Sequence, residues 1–208
     1  MSKPSQIIAL LLALGILIVA GAALALSRTK IVLPIAISKP TPSTFAGRVS
    51  LTATSRDYLV LTIIGSYSDP IRISGWTLES AGASTTIPEG TALLRQGVVN
   101  TQQPIILYPG EGAIISFGTS PVGTSFRVNT CSSLLEKFQP FTPPLTDGSS
   151  VIEKGFYNDC VFTHKSDTDF YKGQWRIFTS SSSSLLSGEH GTLVLRDENK
   201  LPVATLSY

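Results

Sequence analysis

Cys131 and Cys160 are the only cysteines among the 208 residues. They enclose about thirty residues, and closing that loop with a bond would stabilise the fold by roughly 3–4 kcal/mol. A structural zinc site would instead want clustered ligands, such as cysteines two to four residues apart. His164 stands four residues beyond Cys160, but no second close Cys or His completes a set. The pair reads as a disulfide of an oxidising compartment, with two buried free thiols as the alternative.

Asp147, Glu153, Asp159, Asp167 and Asp169 are among the acids of the same stretch. Asp167-x-Asp169 could lend oxygens to a Ca²⁺ site, which needs six to eight of them. Solvated loop acids and helix caps are the plainer reading. A hydrolase would need two such carboxylates to meet in one cleft, which spacing alone does not show. His164 and His190 are isolated and read as surface or partner-capping residues. No G-x-S-x-G, phosphate-binding loop, H-E-x-x-H or G-x-G-x-x-G pattern occurs. Ser27-Arg28-Thr29-Lys30 matches S-x-x-K only by chance in a Pro-rich context. No catalytic residue, metal ligand or cofactor is expected. Tyr157, Phe162, Phe170 and Tyr171 crowd the same region, where an exposed aromatic patch would bind a protein or glycan.

The elements that would position these residues begin after residue 30. Residues 7–26 are apolar except for Gly15 and Gly21, and carry no charge. Twenty residues at about 1.5 Å each span a bilayer's hydrocarbon core, so a membrane partner is expected through 7–26, with an anchor over 1–30. Ala23-Leu24-Ala25 has the look of a cleavage site, so a cleaved leader is the alternative. Pro34, Pro40 and Pro42 mark a stiff linker over 31–46. Residues 47–208 are long enough for one domain with its own core. Three basic residues precede position 31, which leaves the body 13 basic against 14 acidic residues and a net charge of −1. A strongly basic nucleic-acid-binding body is excluded, and no nucleic-acid partner is expected.

The body is written in period two, which predicts an all-β domain. Val49, Leu51 and Ala53 alternate with polar residues, and Tyr58 to Ile64 is a nearly continuous β-prone run. Ile71, Ile73, Trp76 and Leu78 follow, with Ser74-Gly75 shifting the phase as a bulge does. Further strands are expected over 105–108, 113–117, 126–128, 174–178, 192–196 and 203–208. Tyr108-Pro109-Gly110-Glu111 has the type II turn pattern, and Asp197 to Lys200 can close a last hairpin. Eight to ten short strands at this spacing predict an antiparallel β-sandwich. An insertion at about 131–173 interrupts them, with helix signals at Ser133-Leu134-Leu135-Glu136 and Ser166-Asp167-Thr168-Asp169. Thr179 and the serines after it predict a flexible surface loop.

Ser74-Gly75-Trp76-Thr77-Leu78, Ile87-Pro88-Glu89-Gly90-Thr91 and Leu107-Tyr108-Pro109-Gly110-Glu111-Gly112 occur in that order. With the closing strands after Leu193, they resemble the lamin-tail domain, an immunoglobulin-like sandwich of nuclear lamins and bacterial surface proteins. The cysteine-bearing insertion is longer than a plain lamin-tail domain has and resembles a membrane-anchored bacterial variant. Gly75, Trp76, Leu78, Pro109 and Gly110 would then anchor the core. The resemblance implies no catalytic residues and an interaction or structural role. The expectation is a non-catalytic domain, single-pass at the cell membrane with its C-terminal body extracytoplasmic, serving adhesion or envelope scaffolding. The alternatives are an envelope hydrolase or metal-dependent enzyme using acids of the insertion, and a secreted binding module cleaved near Ala25.

Overall fold

The computed structural model describes residues 41–145, 155–181 and 185–208. Its strands are β1 (Val49–Ala53), β2 (Tyr58–Ile63), β3 (Ile71–Arg72), β4 (Thr77–Ser80), β5 (Ala83–Thr86) and β6 (Gly90–Thr91). They continue as β7 (Ile106–Leu107), β8 (Gly112–Ser116), β9 (Ser125–Asn129), β10 (Tyr171–Phe178), β11 (Thr192–Arg196) and β12 (Pro202–Ser207). A 3-10 helix (Ser132–Lys137) and helix α1 (Tyr157–His164) lie between β9 and β10.

A six-stranded sheet runs β1-β2-β8-β10-β9-β6, a four-stranded sheet runs β12-β11-β4-β5, and β3 pairs with β7. The nearly continuous β-prone run expected over Tyr58 to Ile64 forms β2, and burial alternates along it. Leu59, Leu61 and Ile63 point to one side and are buried. Register carries that side across the sheet: Leu51 lies opposite Leu61, Leu61 opposite Ala113, and Ala113 opposite Trp175. A parallel row joins Leu59, Ile115 and Ile177. Leu78, Leu193, Leu195 and Val203 of the four-stranded sheet close over these rows, so one core fills the space between two sheets. Burial of such side chains, at about 1.5–3 kcal/mol each, is what holds the sandwich together.

Trp76 is fully buried in that core, with its ring 5.3 Å from that of Phe45. Gly75 precedes it at φ +88°, where only glycine sits without strain. The Trp76 N–H donates to the Ile73 carbonyl, so the phase shift at Ser74-Gly75 is a tight turn and not a bulge. Ser43 donates from its backbone N–H to the Pro202 carbonyl. Together with the Phe45 contact, this places the last residues of the expected 31–46 linker on the body.

The other side of the six-stranded sheet is covered as well. Phe126, Val128 and Phe178 face Leu134, Leu135, Tyr157, Val161 and Phe170 from the insertion, forming a second core. Trp175, Arg176, Ile177 and Phe178 are therefore all buried, the continuous pattern of a strand enclosed on both faces. β8 and β9 are joined through residues 117–124 yet do not pair. The insertion carries the chain back so that β10 slots between them, parallel to β8 and antiparallel to β9.

Three expectations about fold class are corrected. The sheet is mixed and not purely antiparallel, since β10 runs parallel to β8 and β6 parallel to β9. A third layer, built by the insertion, makes the body more than a two-layered immunoglobulin-like sandwich. Among the described residues no helix is long and apolar enough to cross a membrane, and the expected span at 7–26 lies outside the described residues. The expected transmembrane helix is therefore no part of the described fold.

Candidate functional site

The insertion is fixed to the sheet by polar groups that burial forces into pairs. Asn129, at the end of β9, is almost wholly buried. Its N–H donates to Ser132 Oγ at 2.9 Å, and its Oδ1 accepts the Cys131 N–H at 2.9 Å. Its Nδ2 donates to Tyr157 Oη at 3.0 Å. Burial pushes the Tyr157 hydroxyl up to about 12, and the Asn129 bond opposes this only in part. Cys131 and Cys160 are joined as a disulfide, with Cα atoms 5.8 Å apart, tying the start of the 3-10 helix to α1. On β10, Arg176 is 2% exposed and donates to the carbonyls of Pro143 (2.8 Å) and Pro144 (2.5 Å). Burial lowers Arg176 to about 10, while Glu136 pulls the other way; the guanidinium stays charged at neutral pH.

Helix α1 also reaches outward. Asn158 Oδ1 accepts the Gln96 N–H and Asn158 Nδ2 donates to the Gln96 carbonyl, each at 2.9 Å. Asn100 closes the same loop from inside. Its Oδ1 accepts the Arg95 N–H at 2.8 Å, and its Nδ2 donates to the carbonyls of Arg95 (2.9 Å) and Val98 (3.2 Å). The loop so held displays Val98, 60% exposed, and Val99, fully exposed. It forms a wall of a groove of about 670 Å³ beside β6 and β9 of the six-stranded sheet. The opposite wall is the β8–β9 loop, braced by Ser120 Oγ donating to the Thr124 carbonyl at 2.7 Å. A bond of 3.0 Å from Thr124 Oγ1 to Gln102 Oε1 spans the two. Among the described lining residues Glu89 is the only charged one; the others are hydroxyl, amide, aliphatic and backbone groups, with Phe178 the one aromatic. Another depression, of about 280 Å³, shares Val98, Asn100 and Val122 with the first and counts Arg95 among its lining residues.

The residues expected to do chemistry do not converge on this groove. Asp167 pairs with His164 at 2.8 Å, Asp169 lies 3.8 Å from Lys172, and Asp159 sits in the first turn of α1. Asp147 and Glu153 lie outside the described residues. Among the described residues no group of three or more His, Cys, Asp or Glu side chains could hold a metal ion. The expected aromatic patch does not form as such: Tyr157 and Phe170 are buried, Tyr171 is half-buried under the Arg127 guanidinium, and only Phe162 is exposed. The helix expected near Ser166 lies earlier, over Tyr157–His164. Trp76 and Leu78 are core residues, whereas Pro109 and Gly110 form an exposed turn with Gly110 at φ +81°. The groove was missed because its residues come from three separate loops. The one signal was Val98-Val99, an aliphatic pair without period between Gly97 and Asn100.

No protein-family model matches the chain, and a search of the curated proteins returns no relative, so nothing identifies a lamin-tail domain.

Proposed function

We propose that this is a non-catalytic interaction domain working in an oxidising, extracytoplasmic compartment, with the groove beside Val98 and Val99 as its recognition surface. One observation carries the proposal: the groove's walls are braced by side-chain hydrogen bonds, yet its described lining holds a single titratable group, Glu89. Acid–base or nucleophilic catalysis needs several such groups within hydrogen-bond reach. Recognition needs what is present, a preformed concave surface with apolar and hydrogen-bonding groups. The Cys131–Cys160 bond supports the compartment, because cytosolic thiols are kept reduced.

The test compares full-length wild type with Val99→Asp in quantitative pull-downs from the cell-envelope fraction. Partners recovered by wild type and lost with V99D support the proposal. Equal recovery by both chains would remove the groove from it. Thiol labelling of intact cells checks the compartment: cysteines that react only after reduction are expected, and labelling after lysis without reductant would contradict it.

A further inference from the structure

Helix α1 has eight residues, too few to hold a helix in water by themselves, so its order depends on what ties it down. The ties differ in kind. Tyr157 is fully buried and bonded to Asn129 through its hydroxyl, which fixes one point of the helix. Val161 is buried too, but apolar contact has no direction. The bond from Cys160 to Cys131 supplies a second fixed point and so sets how the helix is turned about Tyr157. Asn158 stands between those two points, within one turn of each. It is exposed, and its two bonds to the backbone of Gln96 need the planar amide aimed at both groups at once. The 95–100 loop is thus docked on a side chain whose direction the disulfide helps to hold.

We propose that the Cys131–Cys160 bond is a redox-sensitive latch for the 95–100 loop, acting through Asn158 and released by a dithiol reductant. Of the two cysteines only Cys160 meets solvent, at 7% exposure, so a small dithiol approaches from its side. A thiolate of the reductant attacks the Cys160 sulfur, the Sγ–Sγ bond breaks, and Cys131 leaves as a thiolate that takes up a proton. The reductant's second thiolate then displaces Cys160 from the mixed disulfide. Both cysteines end as thiols, and the dithiol, having given up two electrons, ends as a disulfide. With the bond open, α1 keeps its anchor at Tyr157 but loses its fixed turn, and Asn158 lets go of Gln96. Asn100 still bridges Arg95 and Val98, so the loop keeps its own shape and loses its seat on the insertion. The cysteines belong to the second core, so the sandwich core around Trp76 keeps its packing. The latch stands whether or not the groove recognises a partner; its bearing on recognition rests on the function proposed above.

The Gln96 amide reads the latch directly, because its acceptor is Asn158 Oδ1. The Arg95 amide bonds to Asn100 and serves as the control inside the loop. Hydrogen exchange is followed by NMR on the full-length chain, oxidised and after reduction with dithiothreitol, in wild type and in Asn158→Ala. On reduction of wild type, exchange at Gln96 should quicken severalfold, with about tenfold as the ceiling set by losing the Asn158 bonds. Arg95, and Leu61 of the sandwich core, should stay as they were. In N158A, Gln96 should exchange fast in both redox states. A C131S/C160S variant should reproduce the reduced pattern without reductant, which separates the bond from the reagent. Equal exchange at Gln96 in oxidised and reduced wild type overturns the latch. So does a redox dependence at Gln96 that survives in N158A, since the coupling would then bypass the side chain. Protection lost at Leu61 together with Gln96 would show that the bond holds the whole body, and that too overturns a local latch. Partner binding by the groove is decided separately, by the V99D pull-down.

Discussion

Asn158 holds Gln96 by both ends of its side-chain amide, accepting from the backbone N–H and donating to the carbonyl of the same residue. A side chain here substitutes for a strand partner, and it joins the inserted helix to the loop that carries Val98 and Val99. Each such bond is worth about 0.5–1.5 kcal/mol net. Asn158→Ala should therefore open the 95–100 loop locally while leaving both cores intact. The expected outcome is amide exchange at Gln96 faster by about tenfold, with the global melting temperature changed by no more than a few degrees. Unchanged exchange at Gln96 would mean the loop is held by Asn100 alone.

The disulfide acts on the same layer from the other side. Its cysteines are 29 positions apart, for which loop-closure entropy gives about 3–4 kcal/mol. A Cys131→Ser/Cys160→Ser double variant should lose that amount in urea unfolding. The loss should start in the insertion, because the sandwich core of Trp76, Leu61 and Leu195 does not touch the bond. Exchange protection falling first at positions 160 and 161 of α1, with β2 and β11 still protected, is the expected pattern.

Strands were legible whether one face or both are buried, since those expected over 113–117, 126–128 and 174–178 form β8, β9 and β10; the pairing of the doubly enclosed ones was not legible. β2 could be placed because Tyr58 to Ile64 is a nearly continuous β-prone run; the alternation, with Leu59, Leu61 and Ile63 buried, is in its burial and not in its sequence. Asp197 was legible as a hairpin residue too. Its Oδ1 accepts the N–H groups of Asn199 (2.8 Å) and Leu201 (2.9 Å), an Asx-type turn that any antiparallel pair could use. Nothing in Trp175 to Phe178 says which neighbour β10 takes, because four buried residues in a row carry no facing information. Its parallel partner β8 is set by where the insertion releases the chain. The same insertion hid Tyr157 and Phe170: aromatics crowded in a polar stretch suit a binding patch as well as a small core, and only packing decides. The groove has no period at all, since fixed loops and not strands line most of it.

Arg176 is the most exacting group in the second core. Its two carbonyl acceptors belong to consecutive prolines, and its neighbour Ser116 donates from Oγ to the Thr142 carbonyl at 3.0 Å. The guanidinium therefore pins the 142–144 segment to the sheet. Arg176→Met keeps the length and removes the donors, leaving two carbonyls without them, at a cost of about 2–4 kcal/mol. Arg176→Lys keeps the charge but not the planar fork, and should lose less than Met. Urea midpoints ordered wild type, Lys, Met from highest to lowest are expected. A Met variant as stable as wild type would show that burying the charge costs as much as its bonds return.

Tyr157 supplies a pH dependence whose sign can be worked out. Its hydroxyl titrates near 10 when unfolded and near 12 when folded, because burial disfavours the phenolate. Between those values the folded state holds a proton that the unfolded state has released, so stability falls as pH rises. Two pH units correspond to about 3 kcal/mol, complete by pH 12 and absent below pH 10. Arg176, lowered to about 10, works in the opposite direction over part of the same window. The comparison is therefore with Tyr157→Phe, which leaves Arg176 in place. The Phe variant should be less stable than wild type by about 1–2 kcal/mol at pH 8, since Asn129 Nδ2 loses its acceptor. Chemical unfolding from pH 8 to 12 should then show the two curves converging and crossing as the wild type loses its extra stability. Parallel curves across that range would mean the hydroxyl reaches solvent in the folded state.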